Sequence, residues 1–462
     1  MDHYDVVIIG SGPAGEGAAM MAAKNHLRVA VVERYDEVGG GCTHWGTIPS
    51  KALRHAVKTL SDVRSNPLLK EIASQLQVSF PQLLATADKV IDGQVQMRRR
   101  FYDRNRVPVL SGHAAFIDAH TLEITPRSEA PVRVSADHFV IATGSRPYHP
   151  PGLDFSHPLV CDSDSVLRYR ESPFAVTIYG AGVIGCEYAS IFLNMGAKVN
   201  LVNTQDRLLS FLDEEVAEAL SYHLRDQGCI IRHNEQFESL ETRERDVVLS
   251  LKSGRKIKSD LLLWANGRTG NTDGMNLAAL GIEVNQRGQI LINERFQTAM
   301  PHIYAAGDVT GPPALASAAY QQGSWVGNSI VDPTIEPLRQ DLIPSGIYTI
   351  PEISSVGRTE QQLQAEAVPY EIGHIHFKSL ARAQMTSQRV GMLKLLFHTQ
   401  TLELLGVHCF GDNASEIVHI GQTVMASKDI NSLRYFVNTT FNYPTMAEAY
   451  RIAAYNGLNR LA

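Results

Sequence analysis

Two short apolar runs along the chain each lead into a glycine-rich loop. The first run, residues 4–9, reads YDVVII, and the second, residues 176–179, reads VTIY. Nearly continuous apolar stretches rich in β-branched residues predict parallel strands that are covered on both faces. A helix is expected from about Pro13, and an equivalent helix is expected after the second loop. Each unit is therefore predicted to be a strand, a tight turn and a helix.

Each loop carries three glycines at the spacing GxGxxG. They are Gly10, Gly12 and Gly15 in the first unit, and Gly180, Gly182 and Gly185 in the second. In a dinucleotide-binding unit, the first glycine permits the turn, the second lets the backbone approach the pyrophosphate, and the third lets the helix pack closely on the strand. The helix N-terminus then favours the negative phosphates. The chain is therefore expected to bind two dinucleotides.

A second predicted strand follows each helix and ends at the position that meets the ribose. Residues 28–32 lead to Glu33, whereas residues 198–202 lead to Asn203. Glu33 is expected to accept hydrogen bonds from a ribose with a free 2′-hydroxyl. Neutral Asn203 neither strongly repels nor strongly attracts a 2′-phosphate, and Arg207 is suited to pair with one. The second site is predicted to accept both nicotinamide cofactors; alternatively, Asn203 is an ordinary turn residue and Arg207 a surface charge.

Composition narrows the class of protein. The 462 residues are 44% hydrophobic and 19% charged, which is ordinary for a globular chain of several domains. The net charge of −6 gives no general attraction to nucleic acid or anionic lipid, and no apolar run is long enough to span a membrane. The 17 histidines lack a metal-ligand pattern, so no metal is expected. Five widely spaced cysteines predict a reducing, cytoplasmic location.

Three further segments accompany the two glycine loops. Residues 39–51 read GGGCTHWGTIPSK, residues 141–147 read IATGSRP, and residues 303–309 read IYAAGDV. Together and in this order, the five motifs closely resemble the pyridine nucleotide–disulfide oxidoreductase family over the whole chain. The resemblance implies an α/β fold with two Rossmann-like dinucleotide-binding domains, one for FAD and one for NAD(P), and a C-terminal α+β dimerisation domain.

The resemblance also implies how the domains are divided. The FAD-binding domain is expected in two parts, residues 1–150 and 273–343, on either side of an NAD(P)-binding domain at residues 151–272. Residues 344–462 are expected to form the C-terminal domain of a homodimer or a larger homo-oligomer. Within that domain, residues 347–352 resemble the first strand of the family's interface domain.

By the same resemblance, each subunit binds one FAD, and NAD(H) and NADP(H) are substrates. Asp308 is expected to bind the flavin ribityl chain. Lys51 and Glu187 match positions that pair beside the reactive end of the flavin, where a cation stabilises negative charge on the reduced ring. Further residues expected to contact the nucleotides are Gly41, Cys42, Thr143, Gly144 and Gly267.

Two departures from the family pattern change the expected chemistry. The disulfide reductases carry two cysteines five positions apart, whereas this chain has Cys42 followed by Thr47, and a hydroxyl cannot form a disulfide. Where the family has His-Pro-Thr, this chain has Tyr443, whose ordinary pKa of about 10 makes it a poor base at neutral pH. Glu448 follows, but without the histidine that it would orient. Thiol chemistry is therefore not expected.

Two nucleotide sites without a dithiol leave a simple predicted reaction. Hydride passes between NADPH/NADP⁺ and NAD⁺/NADH through bound FAD by a ping-pong mechanism, which requires aligned rings and no nucleophilic side chain. The residues expected to carry or support this reaction are Lys51, Glu187, Cys42, Tyr443 and Glu448, the last two from the partner subunit. One alternative is an NAD(P)H-dependent reductase of peroxide, oxygen or another acceptor that uses Cys42. Another is a non-catalytic flavoprotein interaction subunit.

Overall fold

The N-terminal part of the chain forms a sheet with a parallel half and an antiparallel half. The structure is a computed structural model that describes residues 1–461. The first six strands are β1 (Asp2–Ile9), β2 (Val29–Glu33), β3 (Val109–Ser111), β4 (His113–Asp118), β5 (Thr121–Thr125) and β6 (Val132–Ile141). They lie in the order β3-β2-β1-β6-β5-β4, with β3, β2, β1 and β6 parallel. The carboxyl ends of β1 and β2 therefore meet at one edge.

Helices connect these strands and cover the sheet. They are α1 (Pro13–Lys24), α2 (Gly40–His44), α3 (Thr47–Ser65), α4 (Lys70–Gln75), α5 (Phe80–Leu84) and α6 (Asp88–Arg104). The helix expected from Pro13 is confirmed as α1. In α3, Leu53, Val57 and Leu60 are buried at helical spacing, which explains why a segment rich in charged residues still packs against the core.

A second parallel sheet repeats the strand–loop–helix pattern. The next strands are β7 (Ser145–Pro147), β8 (Val160–Asp162), β9 (Ala175–Tyr179), β10 (Lys198–Val202), β11 (Ile230–Arg232), β12 (Phe237–Thr242), β13 (Val247–Leu251), β14 (Lys256–Ser259), β15 (Leu261–Trp264) and β16 (Arg268–Gly270). The helices are α7 (Val183–Met195) and α8 (Glu214–Asp226). The parallel sheet has the order β11-β10-β9-β15-β8, and β12, β13 and β14 form a separate antiparallel sheet. The strands and helices predicted around both glycine loops are confirmed.

The chain leaves and re-enters the first sheet through a two-stranded connection. β7 and β16 pair antiparallel, so the segment after β6 and the segment before residue 273 run side by side. The chain then adds β17 (Ile303–Ala305) in parallel beside β6, followed by α9 (Ala316–Val331). A Cβ at Gly323 would lie 1.9 Å from the carbonyl oxygen of Ala14, so α9 packs directly on the backbone of α1. The predicted four-part domain boundaries remain a prediction.

The C-terminal part forms an antiparallel sheet with helices. Its strands are β18 (Ser345–Ile347), β19 (Glu352–Gly357), β20 (Tyr370–His376), β21 (Gly391–His398) and β22 (Leu404–Gly411), in the order β18-β19-β22-β21-β20. The helices are α10 (Glu360–Ala365), α11 (Ala381–Met385), α12 (Ala414–Ala426), α13 (Leu433–Asn438) and α14 (Glu448–Arg460). The interpretation of residues 347–352 as one strand is wrong. Residues 348–351 lie between β18 and β19, where side chains of other elements bind their backbone.

A charged cluster around the buried Lys394 joins the second parallel sheet to the C-terminal sheet. Lys394 on β21 is fully buried, and its Nζ lies 2.8 Å from Asp213 and 3.0 Å from Glu215 at the start of α8. Its third partner is Glu360 at the start of α10. Lys394 therefore connects α8 to the C-terminal sheet.

Short 3₁₀ turns occupy Val166–Arg168, Leu277–Leu280, Asp308–Thr310 and Phe377–Ser379. Within residues 1–461, every helix is too short or too polar to cross a membrane.

Candidate active site

A cavity of about 760 Å³ lies between the first glycine loop, the starts of α3 and α7, and the segment before β19. Cofactor sites in proteins are typically clefts of roughly 300–1,000 Å³. Many of the residues expected to contact nucleotides or to support catalysis line its walls: Gly10, Gly12, Glu33, Gly41, Cys42, Lys51, Thr143, Gly144, Glu187 and Asp308. Tertiary folding therefore brings four separate sequence motifs to one cavity.

The first glycine loop provides the floor of this cavity. Gly10 has φ of +106°, and a Cβ there would lie 2.4 Å from the carbonyl oxygen of Ala142, so no other residue fits without a backbone shift. A Cβ at Gly15 would lie 1.9 Å from the carbonyl oxygen of Gly10. Gly15 is absent from the cavity lining and serves the close packing of helix on strand, as expected for the third glycine.

Glu33 lies at one end of the cavity with its carboxylate held by the protein. Oε2 accepts hydrogen bonds from the N–H and the hydroxyl of Ser11, at 3.0 and 2.5 Å, and Oε1 accepts one from the N–H of Tyr35 at 3.0 Å. Sequence reasoning missed Ser11, although its position inside the glycine motif was a usable signal. Hydrogen bonds from the protein thereby orient the carboxylate at the end of β2.

Asp308 is oriented by two residues to which sequence reasoning gave no role, although one of them, Ser145, lies inside the motif at residues 141–147. Ser145 donates a hydrogen bond from its hydroxyl to Oδ2 of Asp308 at 3.0 Å. Arg268 in turn donates from Nε to the Ser145 hydroxyl at 2.7 Å and from Nη2 to the Ser145 carbonyl at 2.8 Å. Because Ser145 and Arg268 lie on the paired strands β7 and β16, the two-stranded connection fixes the position of Asp308.

Lys51 and Glu187 form an ion pair on the cavity wall. Nζ of Lys51 donates to Oε2 of Glu187 at 2.7 Å. The Glu187 side chain is 6% exposed, and that of Lys51 is 27% exposed. Oε1 of Glu187 accepts from the backbone N–H of Tyr348 at 2.8 Å. Lys51 lies in the first turns of α3, whereas Glu187 lies on α7. The ion pair therefore joins the two glycine-loop units.

Cys42 lies on α2, beside the N-terminus of α3. Burial raises the pKa of the Cys42 thiol, and a hydrogen bond with the Thr47 side chain and the charge of Arg98 only partly oppose that effect. The residue at the family's second cysteine position therefore lies in contact with Cys42, but it is a hydroxyl. The thiol is held in its protonated form at neutral pH.

The second glycine loop has the same geometry as the first. Gly180 has φ of +108°, and a Cβ there would lie 2.6 Å from the carbonyl oxygen of Ala265; a Cβ at Gly185 would lie 1.8 Å from the carbonyl oxygen of Gly180. Gly182 is the N-cap of α7. Gly267 has φ of +101° and precedes the arginine that holds Ser145. None of these four glycines lines the cavity in the described part of the chain.

Asn203 is buried at the end of β10, and its side chain closes the loop that follows. Nδ2 donates to the carbonyl oxygen of Arg207 at 2.7 Å and contacts Nδ1 of His233 at 3.2 Å. Oδ1 accepts from the N–H of Gln205 at 3.2 Å. Nη1 of Arg207 lies 3.5 Å from Oε2 of Glu214. Both amide ends of Asn203 are thus used within the loop, which presents Arg207 beside an acidic residue.

Tyr443 and Glu448 lie away from the cavity of their own chain. Tyr443 is 73% exposed, whereas Glu448 is 4% exposed and pairs with Arg451 at 3.0 Å on α14. Neither residue lines the described cavity. Their expected role in a partner subunit's site remains a prediction.

The cavity fits the flavin dinucleotide that the sequence motifs imply. Oγ1 of Thr143 is buried on the cavity wall and has no hydrogen-bond partner in the described protein. Gly144 has φ of +68°, and a Cβ there would meet no atom within 4 Å, so open space lies beside it. Gly12 is the N-cap of α1, where unpaired backbone N–H groups favour phosphate. An orphaned hydroxyl, an open glycine wall and a helix N-terminus are suited to a dinucleotide.

Comparison with known proteins identifies the family. Residues 4–323 match the pyridine nucleotide-disulphide oxidoreductase family, and residues 343–454 match the dimerisation domain of that family. The chain belongs to the pyridine nucleotide-disulphide oxidoreductase family. The family and the α/β fold class expected from the motifs are confirmed. Family membership implies the use of FAD and NAD(P), and the dimerisation-domain match supports a homo-oligomer.

Individual relatives agree with this placement. Proteins named soluble pyridine nucleotide transhydrogenase from Salmonella typhimurium and Salmonella typhi are each 57% identical to this chain over 459 residues, which is 99% of this chain and 98% of each relative. The Cu(II) complex of the HOCl-induced flavoprotein disulfide reductase RclA from Escherichia coli is 27% identical with a TM-score of 0.89, covering 98% of this chain and 99% of that chain. LpdA from Mycobacterium tuberculosis, 24% identical, shares the fold over 100% of both chains with a TM-score of 0.90. The protein is an FAD-dependent pyridine nucleotide oxidoreductase.

Proposed function

We propose that this protein transfers hydride between NADPH/NADP⁺ and NAD⁺/NADH through one bound FAD per subunit, by a ping-pong mechanism, in the cytoplasm. The observation that carries the proposal is the pair Cys42 and Thr47: the dithiol position holds one thiol and one hydroxyl, while the Lys51–Glu187 pair is intact. The 57%-identical relatives named soluble pyridine nucleotide transhydrogenase support the same reaction.

The residues that would hold FAD are distributed along the cavity. Backbone N–H groups at the N-terminus of α1 beside Gly12 would meet the pyrophosphate, and Glu33 would bind the adenosine ribose. Asp308, oriented by Ser145, would bind the ribityl hydroxyls. When bound, FAD accepts a hydride from one reduced nicotinamide and returns it to an oxidised one.

Lys51 supplies the positive charge of the site. Glu187 holds the ammonium at 2.7 Å, and no second protein acceptor for it occurs among the described residues, so its other N–H donors are available to the cavity. Such a preorganised cation stabilises negative charge that develops at the reacting centre, and a partly buried site strengthens the effect. Glu187 keeps that cation in place without entering the reaction.

The state of Cys42 favours hydride transfer over the peroxide-reductase alternative. A cysteine that reduces peroxide reacts as the thiolate and is converted to a sulfenic acid. Burial raises the pKa of Cys42 instead of lowering it. Cys42 is therefore suited to packing beside the cavity. Because Thr47 occupies the second cysteine position, that position offers no thiol to react with a sulfenic acid at Cys42.

The second glycine loop supports binding of both nicotinamide cofactors. Gly180 and Gly182 would receive the pyrophosphate of either one, and Gly185 lets α7 pack closely, since this loop repeats the geometry of the first. A neutral Asn203 at the end of β10 places no carboxylate against a 2′-phosphate, and Arg207 offers it a cation. In a homodimer, the exposed Tyr443 and its neighbour Glu448 would complete the site of the partner subunit.

Anaerobic stopped-flow absorbance of the FAD-loaded protein tests the proposal. The flavin is reduced with one equivalent of NADPH and then mixed with NAD⁺ or its thionicotinamide analogue. We expect rapid reoxidation with matching formation of the reduced acceptor, and parallel double-reciprocal plots at steady state. Persistence of the reduced flavin until peroxide, oxygen or a disulfide is added would overturn the proposal. Lipoamide and oxidised glutathione serve as control acceptors and are expected to give negligible turnover.

A further inference from the structure

The backbone between β18 and β19 is held by side chains of the two glycine-loop units. Arg54 on α3 donates to the carbonyl oxygen of Thr349 from Nη2 at 3.0 Å and from Nε at 3.3 Å. Ser190 on α7 accepts from the N–H of Ile350 at 2.6 Å. Both side chains are buried. Consecutive backbone groups of the C-terminal part are therefore fixed to the same two helices that carry Lys51 and Glu187.

Tyr348, the residue before this fixed stretch, touches both members of the ion pair. Its backbone N–H donates to Oε1 of Glu187 at 2.8 Å, and Nζ of Lys51 lies 5.1 Å from the centroid of its ring. Tyr348 also lines the cavity. Burial raises the pKa of its phenol, and the charges of Glu352 and Glu187 act in the same direction, so the ring is neutral.

We propose that Tyr348 is a positioning residue for the Lys51–Glu187 pair, with its N–H fixing the carboxylate and its ring holding the ammonium at the cavity wall. The inference rests on the proposed function, because it assigns the pair to hydride transfer. It also assigns a task to the C-terminal part of the same chain: Tyr348 lines the cavity, and the bonds at Thr349 and Ile350 hold the backbone beside it in place.

The two contacts of Tyr348 have complementary effects. Because the N–H occupies Oε1 of Glu187, the ammonium of Lys51 is directed to Oε2. The electron-rich face of the ring attracts a cation within about 6 Å of its centroid, and more strongly where the cation is partly buried. Lys51 is thus held from two sides, and its rotation away from the cavity is opposed.

Two substitutions at position 348 separate the ring from the backbone contact. Tyr348→Leu keeps the N–H and the apolar bulk but removes the π face, whereas Tyr348→Phe keeps both the N–H and the ring. In FAD-loaded protein, we expect Tyr348→Leu to slow flavin reduction by NADPH about three- to thirtyfold, with KM changed less than twofold. The visible absorption bands of the bound flavin should shift in Tyr348→Leu. Tyr348→Phe should restore the rate to within threefold and the spectrum to that of the parent.

A double-mutant cycle with Lys51→Met decides whether Tyr348 acts through Lys51. We expect Tyr348→Leu to have almost no additional effect on rate or spectrum in the Lys51→Met background. Equal effects in both backgrounds, a loss confined to KM, or a Tyr348→Phe variant as slow as Tyr348→Leu would each overturn the inference. The proposed function is tested separately, since it fails if the reduced parent enzyme is not reoxidised by NAD⁺. The experiments at position 348 measure only flavin reduction by NADPH and the flavin spectrum, so they do not depend on that result.

Discussion

Nζ of Lys51 lies 2.7 Å from Oε2 of Glu187, although the two residues are 136 positions apart in the chain. Lys51 extends from α3, which follows the cysteine-containing helix α2, and Glu187 extends from α7, which follows the second glycine loop. Because α3 and α7 pack together, the pair forms where the two nucleotide units meet. A cation and its orienting carboxylate are thus supplied by different units, and both line one cavity.

Loss of the Lys51 charge should impair hydride transfer more than nucleotide binding. Lys51→Met removes the ammonium and keeps a long apolar side chain, so we expect kcat to fall about 10²- to 10³-fold, by analogy with the loss of one preorganised donor. KM for NADPH should change little, and FAD should remain bound. Stopped-flow flavin reduction and flavin release measure these effects.

Lys58→Met is the matched control for Lys51→Met. Lys58 lies on the same helix α3 and pairs with Asp62 at 2.7 Å, outside the cavity lining. The control should keep the parent rate. If both variants lose activity equally, the effect of Lys51→Met reflects the stability of α3 and the assigned role is wrong.

The ion pair of Arg207 and Glu214 should tune the choice between NADP(H) and NAD(H). A 2′-phosphate that pairs with Arg207 must compete with the Glu214 carboxylate, which lies 3.5 Å from the guanidinium. We expect Glu214→Gln to lower the dissociation constant for NADPH by about two- to fivefold, a range set by the modest strength of surface ion pairs. The dissociation constant for NADH should not change. Titration at low and high salt measures both.

Glu218→Gln controls for net charge in this experiment. Glu218 is an exposed residue on the same helix α8, so its substitution removes one negative charge and leaves the Arg207 pair in place. An equal gain in NADPH affinity with this control would attribute the effect to general electrostatics. Arg207→Gln should weaken the binding of NADPH and leave the binding of NADH unchanged. Equal weakening of both affinities would show that Arg207 does not contact the 2′-phosphate.

Cys42 should react slowly with alkylating reagents at neutral pH. The thiolate is the reactive form, and burial raises the pKa of Cys42 above its ordinary value of 9.0. We therefore expect little carboxamidomethylation by iodoacetamide at pH 7.5, and a rate that climbs only at a more alkaline pH than for an exposed cysteine. Mass spectrometry of native protein measures the modification, and Cys42→Ser provides the background of the four buried cysteines. Rapid modification at pH 7 would revive the peroxide-reductase alternative.

Removal of Lys394 should destabilise the joint between α8 and the C-terminal sheet. Lys394→Met leaves the fully buried Asp213 without its ammonium partner, and breaking a buried pair costs about 3–5 kcal/mol. We expect a clear fall in Tm by thermal denaturation. Lys258→Met is the control, since Lys258 is 65% exposed and pairs with the partly buried Asp246 at 3.1 Å, and its removal should cost less than about 1 kcal/mol.

The Tm difference for Lys394→Met should depend on pH in a defined window. Burial lowers the pKa of Lys394, but its hydrogen bonds to Asp213 and Glu360 outweigh that effect and raise it to about 12. Burial raises the pKa of Asp213, and His408 and Lys394 outweigh that effect and lower it below 3.8. The pair's contribution is therefore lost as pH falls through the Asp213 pKa or rises through about 12. An undiminished difference at pH 3 would contradict this assignment.

Much of the fold could be predicted from the sequence, because the apolar runs and glycine spacings that indicate it are local features of the chain. The apolar runs predicted β1, β2, β9 and β10, and the glycine spacing predicted the turns before α1 and α7. Residues 347–352 were expected to form one strand because they resemble the first strand of the family's interface domain, but β18 ends at Ile347 and β19 begins at Glu352. Backbone groups between these strands bond instead to Glu187 and Arg54, which are distant in sequence. Hydrogen bonds to distant side chains hold this segment between the two strands, and the resemblance of the motif does not reveal them.

The candidate site could be predicted only in part from the sequence, because many of its contacts join residues that are distant along the chain. Asp308 belongs to a recognisable motif, but the Ser145–Arg268 support that orients it depends on the pairing of β7 with β16. Asn203 was predicted as a site residue from its position at the end of a strand. Its contacts with Arg207 and His233 depend on how the following loop folds. Contacts of this kind leave no periodicity or spacing in the chain.

The sequence by itself determined the two dinucleotide units, the family and the loss of the second thiol, because glycine at strained turns and residue identity at motif positions are written directly in the chain. Tertiary structure decided which side chains meet: Lys51 with Glu187, and Tyr348 with both. The physical reason is distance along the chain. Side-chain orientation, burial and charge pairing arise only when separate helices and strands pack against one another.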